Sequence, residues 1–304
     1  MIKRTNGFLD LDSYQKDKNA RMFVKKSSYS SDHFWITLGD DVYYFKPAHF
    51  PTKELVASQM AKDAGFDAVT YDLARFNDTY GLISKSYRKN GATYITMTEI
   101  LNKYFKDNPD INYEMGLNEN WSKATKNPAI KFMTNLMTYW QALEYYFGNE
   151  RQAQIKNIMD ELVRRYFFNI IIGNYDNNSQ NHEIEVSENG IKMATMFDNE
   201  LSFAPRAEVG LSTDYSDSND KFYESLVYFF TVSSSEYIEV FQELFSKIDL
   251  DLLEGAIDKV EMQIEATLPD NQKETLKTRL ADTRKVIKVA LRESGIFIKR
   301  KWKI

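Results

Sequence analysis

Three polar residues in the middle of the chain have the types and the spacing of a metal site. Asp176 and Asn181 are separated by four residues of a polar segment, and Asp198 follows further along the chain. Carboxylate and amide oxygens are the hard ligands that Mg²⁺ takes in proteins. Asp and Asn are also common where a helix ends and the chain turns, so this spacing alone is a weak signal.

A predicted β-hairpin brings these side chains together. A short alternating strand follows Asn181, the turn Ser187-Glu-Asn-Gly190 comes next, and a second strand spans 191–197 and ends at Asp198. The ends of paired antiparallel strands lie side by side, so Asn181 and Asp198 are expected to converge on one cation. Asp176 precedes Asn181 on the loop and is expected to face the same point.

A lysine and a glutamate in the first third of the chain complete a set suited to phosphate chemistry. Lys46 ends a strand of β-branched and aromatic residues, and Glu54 lies in the first turns of the helix that Pro51 opens. Phosphoryl transfer requires a carboxylate to orient the attacking hydroxyl, oxygen ligands to hold a metal, and an ammonium to offset phosphate charge. The helix macrodipole also favours an acid in the first turn, so Glu54 by itself has two interpretations of equal weight.

The elements that must position these residues change in character along the chain. The front part has one helix, from Pro51 to Gly65, and paired strand patterns at 34–38 with 42–46 and at 69–76 with 82–86. From about residue 96 the pattern becomes helical, because apolar residues repeat at three and four positions. The predicted helices are 96–105, 130–146, 155–170, 222–230, 235–245, 249–268 and 272–294.

Composition and charge narrow the class of protein. The 304 residues are 43% hydrophobic, which supports a sizeable core and excludes a disordered chain. The net charge of −5 argues against direct nucleic-acid binding, which normally uses a basic surface. The absence of cysteine excludes disulfides and thiolate zinc sites. With no apolar run as long as a membrane span and no secretory signal pattern, a cytoplasmic protein without membrane contact is expected, and secretion as an effector stays open.

The same residues carry a resemblance to a known family. Protein kinases space the Asp and Asn of the catalytic loop as D-x₄-N and place a metal-binding Asp beyond it. The chain resembles the HipA-like serine/threonine protein kinases, in particular the shorter CtkA-type members. The resemblance spans about residues 34–202 and rests on Tyr44–Lys46, Glu54–Ser58, Leu82–Lys85, Gly173–Asn181 and Phe197–Asp198.

The resemblance implies a fold and an activity. The fold is α+β and two-lobed like that of protein kinases, with a small mixed N-lobe at 1–95 (an antiparallel sheet plus one helix) and a mainly helical C-lobe at 96–304. ATP is expected between the lobes. The implied activity is an ATP-dependent transfer of phosphoryl groups to Ser or Thr hydroxyls of a protein substrate, in a toxin-like or effector-like role.

The resemblance also implies a role for each candidate residue. Asp176 is the expected catalytic base, and Asn181 and Asp198 are the expected ligands of Mg²⁺. Lys46 is expected to bind the ATP phosphates, with Glu54 as its ion-pair partner.

Three features depart from the family pattern. Asn178 stands where family members usually have His, which leaves the hydrogen bonding of the loop open. The expected phosphate loop, 25–32, contains no glycine. The chain is short, so the N-terminal subdomain that full-length toxin kinases use toward their antitoxin is expected to be absent, and a contact of that kind is not assumed.

The phosphate loop is serine-rich, and in the HipA-like group some members autophosphorylate there and lose activity. By position, the candidate serines for autophosphorylation and for phosphate binding are Ser27, Ser28, Ser30 and Ser31. A plain surface loop is the simpler interpretation of such a cluster.

Two other functions stay open on the sequence alone. The motifs do not specify the acceptor, so a small-molecule kinase is an alternative to a protein kinase. The departures at Asn178 and in the phosphate loop leave room for a pseudokinase, a nucleotide-binding interaction module without turnover. An antitoxin or other regulatory protein is an open partner in either case.

Overall fold

The chain forms two compact units, and each is assembled from separate segments. The computed structural model describes residues 2–16, 22–26, 33–48, 51–110, 136–174, 179–199, 201–204 and 221–295. The first unit contains Met1–Asn90, Thr195–Glu200 and Leu250–Leu276. The second contains Gly91–Ala194, Leu201–Asp249 and Lys277–Ile304. The division thus differs from a single boundary near residue 95, because two later segments belong to the first unit.

A seven-stranded sheet dominates the first unit. Its strands are β1 (Arg4–Thr5), β2 (Phe8–Asp10), β3 (Met22–Lys26), β4 (Phe34–Leu38), β5 (Asp41–Pro47), β6 (Tyr71–Phe76) and β7 (Thr79–Lys85). The order in space is β1-β2-β6-β7-β5-β4-β3. Neighbouring strands are antiparallel except β2 and β6, which are parallel.

Two hairpins predicted from the sequence set the register of this sheet. Leu38 lies opposite Asp41 across the β4–β5 turn, and Phe76 lies opposite Thr79 across the β6–β7 turn. Asn77 and Asp78 have φ values of 50° and 57°. This left-handed pair suits a two-residue hairpin turn, and Asn and Asp adopt it more readily than other side chains.

The helices agree closely with the apolar repeats. In chain order they are α1 (Leu11–Gln15), α2 (Pro51–Ala64), α3 (Met97–Asp107), α4 (Leu136–Phe147), α5 (Gln152–Ile171), α6 (Lys221–Val232), α7 (Ser235–Lys247), α8 (Leu250–Ile264) and α9 (Asp270–Glu293). Thr96 and Glu99 form a reciprocal capping box at the start of α3. No helix in the described part of the chain is long and apolar enough to span a membrane.

Helix α2 is almost wholly enclosed within the first unit. Its buried residues include the acid Glu54 as well as an apolar set, Leu55, Val56, Ala57, Met60, Ala61 and Ala64. Helix α8 contacts it, and Lys259 Nζ of α8 lies 2.6 Å from Asp63 Oδ1 of α2. Thr52 of α2 donates a hydrogen bond to Gln272 of α9. These contacts explain why residues 250–276 belong with the sheet although they lie near the end of the chain.

The second unit combines helices with a small antiparallel sheet. Its strands are β8 (Thr93–Thr96), β9 (Glu183–Ser187) and β10 (Gly190–Met193), in the order β10-β9-β8. Helix α5 packs on β10. The apolar residues of α5 that repeat at three and four positions, among them Ile155, Leu162 and Phe167, are buried.

The predicted second strand of the hairpin, 191–197, is wrong beyond Met193. Strand β10 ends there, and Met196 instead pairs in parallel with Ala68, just before β6 in the first unit. Met196 donates its N–H to the Asp67 carbonyl (2.7 Å) and accepts from the Val69 N–H (2.9 Å). Asn181 and Asp198 are therefore not at the paired ends of one hairpin, because the chain changes partners between them. Strand β8, which occupies the other edge of β9, was not predicted from the sequence.

Gly81 offers a direct test of the packing between β5 and β7. A Cβ at this position would lie 2.9 Å from the Lys46 carbonyl carbon and from Pro47 Cα, and nearer still to the Lys46 carbonyl oxygen. Backbone atoms cannot rotate away, so Gly81→Ala is expected to lower the free energy of unfolding by roughly 1–3 kcal/mol, as measured by urea denaturation.

A second glycine provides the matched control for this prediction. Gly255 lies inside α8, and no atom lies within 4 Å of its ideal Cβ position. Gly255→Ala is expected to raise the free energy of unfolding by about 0.5–1 kcal/mol, because alanine loses less backbone entropy in a helix. A Gly81→Ala protein as stable as wild type would contradict the described β5–β7 contact.

Candidate functional site

A buried ion pair joins β5 and α2 in the first unit. Lys46 Nζ lies 2.7 Å from Glu54 Oε2. Only 7% of Lys46 and 0% of Glu54 is exposed. Alternation along β5 places Phe45 in the apolar core with Ile36 and Phe76, so Lys46 points to the opposite face of the sheet.

The pKa values identify the charged state of this pair. Burial lowers the pKa of Lys46, but the nearby Glu54, Tyr71 and Asp198 outweigh it and hold the pKa well above its ordinary value. Burial raises the pKa of Glu54, and the Lys46 charge opposes that rise without cancelling it. Lys46 therefore keeps its proton, and the 2.7 Å contact places the ammonium directly against Glu54.

Asp198 supplies a second carboxylate to the same ammonium. Lys46 Nζ donates to Asp198 Oδ1 at 3.2 Å, and 36% of the Asp198 side chain is exposed. The backbone of Asp198 is left-handed, with φ at 60°. The hydrogen bonds of Met196 with Asp67 and Val69 anchor the chain two residues earlier. Asp198 is thus held at the edge of the ion pair with part of its carboxylate open to solvent.

Tyr71 connects the components of this cluster and was not identified from the sequence. Its hydroxyl accepts a hydrogen bond from the Asp198 N–H (3.3 Å) and lies close enough to Glu54 to lower the pKa of that side chain. Lys46 Nζ lies 5.7 Å from the centre of the Tyr71 ring. Burial, followed by the Glu54 charge, raises the pKa of Tyr71 well above its ordinary value, so the hydroxyl stays protonated.

The described structure brings together three of the predicted site residues. Lys46, Glu54 and Asp198 lie in the first unit and form one connected cluster. Asn181 belongs to the second unit, where it is the last residue of a short 3₁₀ helix, Ser179–Asn181. Asp176 and the candidate serines Ser27, Ser28, Ser30 and Ser31 lie outside the described residues. Their roles, like that of Asn181, stay predictions.

Buried polar groups surround the start of β9, next to Asn181, within the second unit. Arg165 of α5 is 1% exposed and donates to the Glu161 carboxylate (3.0 Å) and to the Ala194 carbonyl (2.6 Å). His182 is also buried, and burial together with the Arg165 charge lowers the pKa of His182 to about 3. His182 is therefore neutral at physiological pH. This cluster anchors the strand that follows Asn181.

The donor groups present fit a magnesium nucleotide. Asp198 offers a partly exposed carboxylate, a hard oxygen donor of the kind Mg²⁺ requires. Lys46 offers an ammonium that stays charged, which suits a phosphate group. The chemistry of these two groups agrees with ATP and Mg²⁺.

No family model matches the chain, and no curated protein sequence matches it. The chain is similar in structure to the proinflammatory kinase CtkA of Helicobacter pylori, with a TM-score of 0.62 at 14% identity over 95% of this chain and 98% of that one. This similarity confirms the predicted fold, an α+β kinase-like fold with a sheet in the N-terminal region and a helical C-terminal part. It also agrees at the level of fold with the resemblance to HipA-like and CtkA-type kinases.

Two other solved structures are more distant. HipA, in the Shewanella oneidensis MR-1 complex of HipA, HipB and operator DNA, has a TM-score of 0.47 at 15% identity over 88% of this chain and 59% of that chain. Hydra Fam20, solved with a sugar, has a TM-score of 0.40 at 13% identity over 89% of this chain and 86% of that chain. With TM-scores this low, neither bears on the assignment of the fold.

The ion pair makes a prediction about stability. Lys46→Met removes the ammonium and leaves Glu54 without its partner at 0% exposure. The free energy of unfolding is expected to fall by about 3–5 kcal/mol, because an uncompensated buried charge is costly. Urea denaturation at neutral pH measures this loss.

The double variant Lys46→Met with Glu54→Leu is the matched control. Both charges are then replaced by apolar groups of similar size, so at least half of the lost stability is expected to return. A single Lys46→Met variant that unfolds at the wild-type urea concentration would contradict the buried pair.

Proposed function

We propose that this protein is an ATP-dependent protein kinase that phosphorylates Ser or Thr side chains. The observation that carries the proposal is the position of the Lys46 ammonium, 2.7 Å from the buried Glu54 carboxylate and 3.2 Å from the partly exposed Asp198 carboxylate. A strand lysine paired with a helix glutamate, next to a metal-binding Asp, is the arrangement that protein kinases use to hold ATP phosphates.

The proposed reaction moves the γ-phosphoryl group from ATP to a hydroxyl oxygen and leaves ADP. Asp176 orients the acceptor hydroxyl and takes its proton as the new O–P bond forms. Lys46 offsets the charge of the phosphates, and Glu54 holds Lys46 in place. Asn181 and Asp198 hold Mg²⁺, which when bound supplies positive charge opposite the transferred group.

A protein acceptor is favoured over a small molecule by the resemblance in the catalytic segments together with the CtkA-like fold. CtkA is described as a proinflammatory kinase, and the alignment covers nearly all of both chains. ATP and Mg²⁺ are abundant in the cytoplasm, so we place the activity there. An antitoxin or other regulatory protein is a candidate partner, since the HipA-like kinases include toxins.

Removal of either proposed carboxylate tests the activity. Asp176→Asn and Asp198→Asn are each expected to lower phosphoryl transfer by about 10²-fold to 10⁴-fold, because one loses the proton acceptor and the other a charged metal ligand. Transfer of label from γ-labelled ATP to a peptide and protein panel, with Mg²⁺ present, is the measurement.

The exposed Asp251 on α8 provides the control for these variants. Asp251→Asn makes the same chemical change away from the cluster and is expected to retain wild-type activity. Undiminished transfer by the Asp176→Asn protein would refute the proposed mechanism. Release of ADP with a metabolite panel and none with proteins would assign the alternative acceptor class.

The serine cluster predicts self-modification. Incubation of the wild-type protein with ATP and Mg²⁺ is expected to add phosphate to one or more of Ser27, Ser28, Ser30 and Ser31, as detected by mass spectrometry of the peptide that contains them. The Asp198→Asn protein, incubated alone, is expected to stay unmodified. Wild-type protein that transfers phosphate to substrates but carries none in this peptide would contradict this prediction.

A further inference from the structure

The hydroxyl of Tyr71 lies where the components of the candidate site meet. Only 6% of Tyr71 is exposed, and its ring packs beside the Lys46 ammonium, 5.7 Å from the ring centre. A phenylalanine could fill this space without placing an oxygen in the interior. Burial of a hydroxyl costs free energy unless hydrogen bonds compensate, so the partners of this oxygen matter.

The partner of this oxygen is the backbone N–H of Asp198, which donates to it at 3.3 Å. The hydroxyl also lies close enough to the buried Glu54 side chain to lower its pKa. It therefore influences groups on two elements, the 195–200 segment and helix α2. The raised pKa of Tyr71 keeps the hydroxyl protonated.

The contact to Asp198 falls on a left-handed stretch of backbone. A φ of 60° is uncommon for residues other than glycine, although Asp adopts it more readily than most side chains. The Tyr71 hydroxyl binds the N–H of this same residue. The direction of the Asp198 carboxylate depends on this backbone conformation, so the hydroxyl influences where that carboxylate points.

Tyr71 itself is held firmly from its backbone side. Gln263 of α8 donates its side-chain amide to the Tyr71 carbonyl at 2.5 Å. Arg4 binds both oxygens of the adjacent Asp72, at 2.9 and 2.6 Å, and also donates to the Gln263 carbonyl at 3.1 Å. The start of β6 is thereby fixed by two elements of the first unit, β1 and α8, and Tyr71 is a rigid support for what it contacts.

We propose that Tyr71 is a positioning residue of the phosphoryl-transfer site: its hydroxyl holds the Asp198 backbone so that Asp198 presents its oxygens to Mg²⁺. This inference rests on the proposed function. It assigns Tyr71 no contact with ATP and no proton transfer. Loss of the hydroxyl therefore acts through Asp198 and shows first in the metal dependence of nucleotide binding.

The test compares Tyr71→Phe, which removes one oxygen and keeps the ring, with wild type. The first measurement is amide hydrogen exchange at Asp198 in the protein without nucleotide or metal. The second is calorimetric binding of the β,γ-imido analogue of ATP, once with excess Mg²⁺ and once with EDTA. Tyr80→Phe is the matched control, because Tyr80 lies on the same sheet with 55% of its surface exposed.

In the Tyr71→Phe protein the Asp198 amide is expected to exchange at least about tenfold faster than in wild type. The gain in affinity that Mg²⁺ confers is expected to shrink by about fivefold to tenfold, while the affinity in EDTA changes by less than about twofold. Tyr80→Phe is expected to match wild type in both measurements. If Tyr71 only stabilised the fold, loss of its hydroxyl would change the affinity with Mg²⁺ and the affinity in EDTA by the same factor.

Three results would overturn the inference, and they differ in whether they also overturn the proposed function. If the Tyr71→Phe protein shows wild-type exchange at Asp198 and wild-type metal dependence of binding, only the inference about Tyr71 is wrong. Failure of the wild-type protein to bind the analogue in either condition would sink the proposed function and this inference together. If Tyr71→Phe does not fold, exchange in the wild-type protein decides: an Asp198 amide that exchanges as fast as an unprotected loop amide overturns the inference, and a protected one supports it.

Discussion

The Lys46 ammonium lies where little water reaches it, since the residue is 7% exposed. A charge in such a position is stable only with an opposite charge in contact, and here Glu54 provides it at 2.7 Å. The pairing constrains the surrounding elements, because β5 and α2 must approach closely enough for both side chains to reach. Asp198 adds a further constraint, since the segment that carries it must leave the second unit and reach the same ammonium.

The acid on α2 is secured by parts of the chain that lie far away in sequence. Helix α8 packs against α2, and Lys259 pairs with Asp63 on the outer side of that contact at 2.6 Å. Gln263 reaches past α2 to the carbonyl of Tyr71. A helix free to rotate would separate Glu54 from Lys46, and these contacts oppose such rotation. The chain thus supplies its own support for the conformation in which the ion pair is formed.

Much of the fold follows from local patterns in the sequence. The β4–β5 and β6–β7 hairpins, the helix predicted at 96–105 and the long apolar face of α5 all depend on neighbouring residues, and the structure confirms each with small shifts at the ends. Lys46 was also predictable, because a lysine at the end of a buried strand needs a partner. The role of Glu54 was ambiguous between a helix-dipole acid and an ion-pair acid. Its complete burial favours the ion pair, because a helix-dipole acid has no need to leave solvent.

The features that sequence reasoning missed are non-local. Strand β10 ends at Met193 and Met196 pairs with Ala68 instead, and alternation of residue types cannot reveal such a change of pairing partner. The helical pattern of residues 250–276 was predicted from the sequence. Their packing against α2 was not, because it depends on tertiary contacts. The sequence predicts Tyr71 only as an ordinary strand residue, because Asp198, whose N–H its hydroxyl binds, lies far along the chain with no local pattern to link the two.

A buried charged pair, where an apolar pair would be equally stable, indicates a functional role for Lys46 and Glu54. Replacement of a buried ion pair by apolar residues of similar size is often neutral or stabilising, so stability alone does not explain why Lys46 and Glu54 are present. What the pair provides is a cation at a defined position, with its proton secured against burial by the neighbouring acidic side chains. Asp198 lies at the edge of that cluster with part of its side chain exposed. A cation held next to an accessible carboxylate is of little use to a folded core, whereas phosphate and metal chemistry needs both.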